Sequence, residues 1–266
     1  MKTELLTWHS FPSSGYTVLR SGETVFTFDH GPLGKPPLYN HGHADALSIT
    51  LSLNGRGILV DPGTYRYNQV PEWRRYFKGT RAHNTVTIDG QDQAVQETGF
   101  IWSRPFKARL LQLMNRNGTL FFEAIHNGYE RLRPKVIHRR KIEARPGEIR
   151  IGDVFFGKGT HRFELNFHLH PEAFPSPQDG GWLIRCGPEK IFLRLEGDPG
   201  LEAIRGQSDP ILGWYSPRYG ENQETTVLRC IRQGAAGTVT FSTLIDLHPR
   251  VAGGIPLFQE DSKTGG

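Results

Sequence analysis

Two histidines and an aspartate stand at alternate positions in His41-Gly-His43-Ala-Asp45. An extended chain sends such side chains off the same face. Asp61 closes the strand expected to return from Asn54-Gly55, and His83 opens another, His83-Asn-Thr-Val86. Adjacent strand ends would bring His43, Asp61 and His83 within reach of one ion. Two neutral imidazoles and a carboxylate, with a coordination position left open, suit Zn²⁺. Spacing alone leaves other readings open. An aspartate before Pro62-Gly63 is also an ordinary turn former, and a strand-end histidine is often only hydrogen-bonded. His43-Ala-Asp45 with a later histidine equally matches the two-histidine, one-carboxylate pattern of non-haem iron oxygenases.

Beyond these residues the chain carries phenols and guanidiniums close together: Tyr65, Tyr67, Trp73, Arg74, Arg75 and Arg81. Aromatic faces stack on sugar rings, and arginine pairs bidentately with carboxylate or sulfate. The same group also reads as a basic loop anchored to a sheet by its aromatics. His161, His168 and His170 read as structural strand residues, the last two sharing a polar face, and His126 and His138 as ordinary strand residues. No Gly-x-Ser-x-Gly elbow, phosphate loop, dinucleotide fingerprint or Cys-x-x-Cys pair is present.

The elements that must position these groups are short strands. Leu47, Ile49, Leu51 and Leu53 alternate with Ser48, Thr50 and Ser52, the period of a half-buried strand. Asn54-Gly55 then signals a hairpin. Similar runs recur at 16–20, 24–28, 119–126, 135–144, 148–155 and 161–170, and continue to residue 244, while 70–78 has room for a turn or two of helix. Gly 31 and Pro 18 together make about 18% of the 266 residues, against an ordinary share of about 12%. The expectation is all-β: an antiparallel β-sandwich with a second, smaller β-sheet region toward the C-terminus. Pro171–Gly181 is the candidate boundary, dividing a main sandwich with the site loops (1–171) from a C-terminal β region packed on it (172–266).

No run approaches the roughly 20 apolar residues that span a bilayer. The first residues lack the apolar stretch of a signal peptide. The 32 basic and 27 acidic residues give a net charge of +5, mild enough for an anionic partner. No aromatic-interleaved basic ribbon of the nucleic-acid-binding kind is present, so nucleic acid is not an expected partner. The dense basic stretch from Arg131 to Lys141 reads as a solvated strand face. Cys186 and Cys230 could pair or remain two buried thiols.

Three motifs, taken together, carry a resemblance: Asn40-His-Gly-His-Ala-Asp-Ala-Leu-Ser48, Val60-Asp-Pro-Gly-Thr-Tyr-Arg-Tyr67 and Arg81-Ala-His-Asn-Thr-Val86. In that order they resemble the heparinase II/III-like family of polysaccharide lyases, and Phe11–Arg20 resembles that family's entry into its β domain. The resemblance covers only the C-terminal β-sandwich. It implies an α/α toroid as a missing or separate partner, an anionic polysaccharide as substrate, and work in the periplasm or outside the cell. It also implies that His43, Asp61 and His83 hold a mainly structural zinc, and that His41 faces the substrate. Tyr65 or Tyr67 would then be a cleft tyrosine, and Arg74, Arg75 and Arg81 would grip uronate or sulfate.

The implied reaction, β-elimination, removes the C5 proton of a uronic acid and expels the oxygen on C4. That proton becomes acidic once the carboxylate is neutralised, and a base and an acid complete the step. An imidazole with an ordinary pKa near 6.5 can be the base at neutral pH, and a neutral phenol, ordinarily near 10, can donate to the leaving oxygen. The expected function is thus the C-terminal domain of such a lyase. The alternative is a zinc-stabilised carbohydrate-binding or scaffolding module without turnover.

Overall fold

The computed structural model describes residues 5–197 and 199–249. Strand accounts for 53% and helix for 6%, the all-β architecture that the turn-rich composition predicts. Leu6–Phe11, Tyr16–Ser21, Thr24–Asp29, Ile49–Leu53 and Arg56–Leu59 form an antiparallel five-stranded meander. An eight-stranded sheet runs, in spatial order, Ala173–Gln178, Gly181–Cys186, Glu189–Leu195, Thr240–Asp246, Glu148–Gly157, Val136–Arg145, Thr119–His126 and Ala108–Arg116. Glu202–Arg205, Thr226–Ala235, Thr160–His168 and Val86–Ile88 make a four-stranded sheet. The five- and four-stranded sheets meet at an antiparallel bridge between Leu59 and Leu169. Inward residues of all three sheets, among them Phe28, Leu51, Ile142, Ile151, Phe163 and Leu228, share one core.

Turn chemistry sets the registers. Asn54-Gly55, Asn117-Gly118 and Asp179-Gly180 hold positive φ at both residues, the left-handed pair of a two-residue hairpin. The described residues after 172 are woven into the same sheets as the rest of the chain. Three of their strands extend the large sheet, Thr240–Asp246 runs through its middle, and Thr226–Ala235 pairs with Thr160–His168. The proline-rich segment read as a boundary is mostly strand. Ala173–Gln178 lies at the sheet's edge, where Pro175 and Pro177 have no ladder bond to forfeit on the open side.

The alternation at 47–53 also stops short of its first member. Leu47 is buried but left-handed, with φ of 65°, and the strand begins at Ile49. The basic stretch is two-faced. Arg139 and Lys141 face outward beside Glu123, whereas His138 and Arg140 take the inward positions of the same strand and are fully buried. Cys186 and Cys230 are separate buried free thiols on different sheets.

The main helix, Pro71–Lys78, starts with proline in its first turn, carries Glu72 there and has Arg75 and Lys78 in its last. All three suit the helix ends at which they stand. Its far end leads through Gly79 into the turn Thr80–Ala82 that delivers His83. A side chain on Gly79 would meet the Arg75 carbonyl at 2.8 Å and Asp92 at 2.9 Å, so only glycine fits there.

Candidate metal centre and cleft

His83 is wholly buried, and its Nδ1 donates to the Gly79 carbonyl at 2.7 Å. That bond fixes the tautomer and leaves the Nε2 lone pair free, the usual arrangement behind a metal-binding imidazole. Nε2 looks at His43 Nδ1 at 3.3 Å, at Asp61 Oδ2 at 3.5 Å and at Asp45 Oδ2 at 4.0 Å. All four residues offer ligand atoms within 4.8 Å of one another. Metal–ligand bonds of about 2.0–2.1 Å set neighbouring ligands of a tetrahedral ion roughly 3.3–3.4 Å apart. The donor set and the two shorter separations therefore fit a zinc ion.

Each ligand-bearing segment is pinned by its backbone. The histidine-rich segment is an irregular loop rather than the extended strand its alternation suggests. Gly42 donates to the Tyr39 carbonyl, Ala44 to that of Lys78 and Ala46 to the Gln93 side chain. A Cβ on Gly42 would lie 1.7 Å from the Leu33 carbonyl oxygen, so the glycine between the histidines is obligatory. Asp61 accepts the Gly63 amide on Oδ1 at 2.9 Å, which turns Oδ2 toward His83. Asn84 is the common tie. Its amide donates to the carbonyls of Ile49 and Val60 and accepts the His168 amide.

The electrostatics ask for a cation. Burial, reinforced by the charges of His83, Arg74 and Lys78, holds the His43 imidazole well below its usual range. Burial also lowers His83, against the opposing pull of Asp61. Both therefore stand neutral, with lone pairs to give. Burial and the charges of Asp29 and Asp61 push the Asp45 carboxyl well up, and burial pushes Asp29 up to about 6. Crowded, desolvated carboxylates of this kind are relieved by a bound cation.

His43, Asp45 and Asp61 line a cleft of 660 Å³ together with Tyr16, Asp29, Lys35, Asn40 and His41, and His83 lies buried behind them. His41 is exposed at the rim of the cleft and meets the Tyr67 ring edge-on at 6.3 Å. Tyr67 stacks on Phe100, leans on Tyr219 and covers the Arg74 guanidinium at 4.9 Å. Tyr65, left-handed with φ of 61°, points elsewhere and packs on Trp73 and Phe77. Tyr67 is thus the tyrosine beside His41.

The expected arginines lie apart from this cleft. Arg74 is buried and donates to the Gly99 carbonyl at 3.1 Å. Arg81 pairs with Glu164 at 2.6 Å. Arg75 and Arg81 line a different depression, with Glu72 and Asp209. Asp45, absent from the ligand set read from spacing, joins it, while its loop partner His41 does not. Alternate spacing flagged both, and only the fold of the loop separates them.

The family model described as heparinase II/III-like, C-terminal, matches residues 4–251. The chain belongs to the heparinase II/III-like family. No curated protein matches it. Among solved structures, a heparinase III is 20% identical with a TM-score of 0.71, covering 90% of this chain and 35% of that one. Heparan sulfate lyase HepC from Pedobacter heparinus is 17% identical with a TM-score of 0.73, covering 90% and 36% respectively. At these identities the likeness is one of fold. This heparinase II/III-like chain spans about a third of the length of these two structures. Among the described residues no helix is long and apolar enough to cross a membrane.

Proposed function

We propose that the chain is the β-sandwich portion of a polysaccharide lyase that cleaves uronic-acid-containing glycan by β-elimination, in the periplasm or outside the cell. The observation that carries this reading is the exposed His41 at the rim of the cleft, edge-on to Tyr67 and beside a four-residue cluster that suits zinc. His43, Asp45, Asp61 and His83 would hold the ion. Bound there, it supplies positive charge and fixes the loops that form the cleft wall. His41, which lines the cleft, would be the base for the C5 proton, and the phenol of Tyr67, whose ring meets His41 edge-on, would return a proton to the leaving oxygen.

A second reading has one observation in its favour. Among the described residues lining the cleft, Asp29, Asp45 and Asp61 stand against one lysine, Lys35, and two histidines, His41 and His43. Neutralising a uronate carboxylate would require charge from the ion or from an apposed toroid, and without it the chain would bind glycan and not turn it over. Arg75, exposed on the separate depression, stays a candidate for gripping sulfate or uronate beyond the cleft, whereas Arg74 and Arg81 are engaged within the protein.

Incubation with uronate polymers separates the two readings. An unsaturated uronate end absorbs in the ultraviolet, so rising absorbance that His41→Ala abolishes supports the lyase. Retention of the protein on immobilised glycan with no new absorbance supports the binding module.

A further inference from the structure

A second group of metal-binding side chains lies outside the cleft. A ring nitrogen of His170, a carboxylate oxygen of Glu172 and the sulfur of Cys186 lie within 4.8 Å of one another. Backbone pairing brings them together. The Ala173 amide donates to the His170 carbonyl at 2.8 Å, closing a tight turn that presents His170 and Glu172 side by side. Ala173 is in turn the registered partner of Cys186 in the edge hairpin of the large sheet. On the third side, the His170 amide donates to the Ile58 carbonyl at 3.1 Å, and the Cys186 thiol points at the Gly57 carbonyl at 3.7 Å. The cluster therefore sits where the five-, eight- and four-stranded sheets meet.

We propose that His170, Glu172 and Cys186 form a second divalent-metal site, one that takes a borderline or soft ion such as Zn²⁺ and clips the three sheets together. Its chemistry differs from that of the cleft, where only nitrogen and oxygen donors stand. A thiolate, an imidazole and a carboxylate make three tetrahedral ligands, and the exposed Glu172 side leaves the fourth position to water. The Glu172 amide donates to His170 Nδ1 at 3.2 Å, so the Nδ1 lone pair faces the turn that carries Glu172. That lone pair exchanges a neutral hydrogen bond for the metal. The Cys186 thiol loses its proton to solvent on coordination, so affinity rises with pH. Glu189, paired with Cys186 across the hairpin, adds negative charge nearby, and Arg56 stands beside Gly187 as the opposing cation.

Cobalt distinguishes the two sites, because only a thiolate ligand gives Co²⁺ a strong charge-transfer band in the near ultraviolet. Chelator-stripped protein titrated with Co²⁺ should take up two ions per chain and develop this band. Cys186→Ser should lose the band and one ion, while His43→Ala should lose one ion and keep the band. Glu172→Gln, a change on an exposed turn that leaves the fold intact, should weaken the band-forming site at least ~10-fold, the loss that even an outer-shell change causes. No band in the unaltered protein overturns the proposal. So does a band that survives Cys186→Ser and disappears in Cys230→Ser, or one that disappears in His43→Ala.

Discussion

Arg140 and Asp153 face each other on neighbouring strands of the large sheet and join through two bonds, Nε to Oδ1 at 2.7 Å and Nη2 to Oδ2 at 3.1 Å. Neither side chain has any exposure. The remaining guanidinium nitrogen reaches across the core and donates to the carbonyls of Leu47 and Asn84. Those two residues adjoin the segments that carry Asp45 and His83. A buried ion pair in one sheet thus fixes the spacing of two candidate ligand loops that belong to others. His138 completes the group, with Nε2 on Asp153 at 2.7 Å and Nδ1 on His126 at 3.2 Å.

Removing Arg140 should therefore damage both stability and the metal site. Arg140→Met leaves Asp153 buried without its countercharge and two carbonyls without a donor. Breaking a buried pair in this way costs about 3–5 kcal/mol. Arg139→Met, one residue along but outward-facing beside Glu123, should cost under about 1 kcal/mol. Denaturant unfolding of both variants measures the difference, and metal content should fall only in Arg140→Met. Equal, small losses would mean that the buried network does not hold the loops.

Metal content separates the ligands from their neighbours. His43→Ala and Asp61→Asn should each lower zinc bound at the cleft and lower the melting temperature with it, and Asp45→Asn should do the same. His41→Ala should change neither, because its ring lies at the rim beside Tyr67. Elemental analysis of the dialysed proteins gives the answer, with the count referred to the unaltered chain. Loss of metal in His41→Ala would move that residue into the ligand set and leave the cleft without its base.

How much of this could be read from residues alone follows from what each signal depends on. The Asn54-Gly55 hairpin was legible because a left-handed turn demands those residues. Strands with clean alternation, such as Thr119–His126, were legible for the same kind of local reason. The edge strands were not. Ala108–Arg116 exposes both faces in part and so lacks a clear period, and Ala173–Gln178 hides behind its prolines. His43, Asp61 and His83 were brought out by residue type and by the order of three motifs. Asp45 needed the loop's actual path, and Arg140 needed a partner 13 residues away whose inward position the charge pattern conceals. A basic run looks solvated until its period-2 register is known.

Acid should destabilise the protein through its buried histidines. Burial, with the charges of His83 and Arg81 adding to it, pushes His168 down to about 3. An unfolded histidine titrates near 6.5, so between these values the unfolded chain holds a proton that the folded chain lacks. Stability therefore falls as pH drops from about 6.5 toward 3. Asp153 acts in a different window. Burial alone would raise it, but Arg140 and His138 outweigh that and hold it at about 2, so its contribution is lost only below about pH 4. Among the described residues, neither ring nitrogen of His168 has a hydrogen-bond partner. His168→Leu should consequently raise the melting temperature, by more at pH 5 than at pH 8. A pH-independent change would show that His168 does not carry the acid sensitivity.

The two tyrosines of Tyr65-Arg66-Tyr67 should separate under the same conservative change. Tyr67→Phe keeps the ring that stacks on Phe100 and covers Arg74, so folding should be altered by no more than about 0.5 kcal/mol. What it removes is the hydroxyl of the ring that meets His41 edge-on, and with it the proposed donor to the leaving oxygen. General acid catalysis typically contributes 10²–10⁴-fold, so release of unsaturated uronate should drop by about two orders of magnitude or more while glycan retention persists. Tyr65→Phe removes a hydroxyl from a ring packed on Trp73 and Phe77, and turnover should be unchanged. If Tyr67→Phe left turnover intact and Tyr65→Phe reduced it, the proton donor would have to approach from the opposite side of the aromatic cluster, and the cleft beside His41 would not be where the bond is cut.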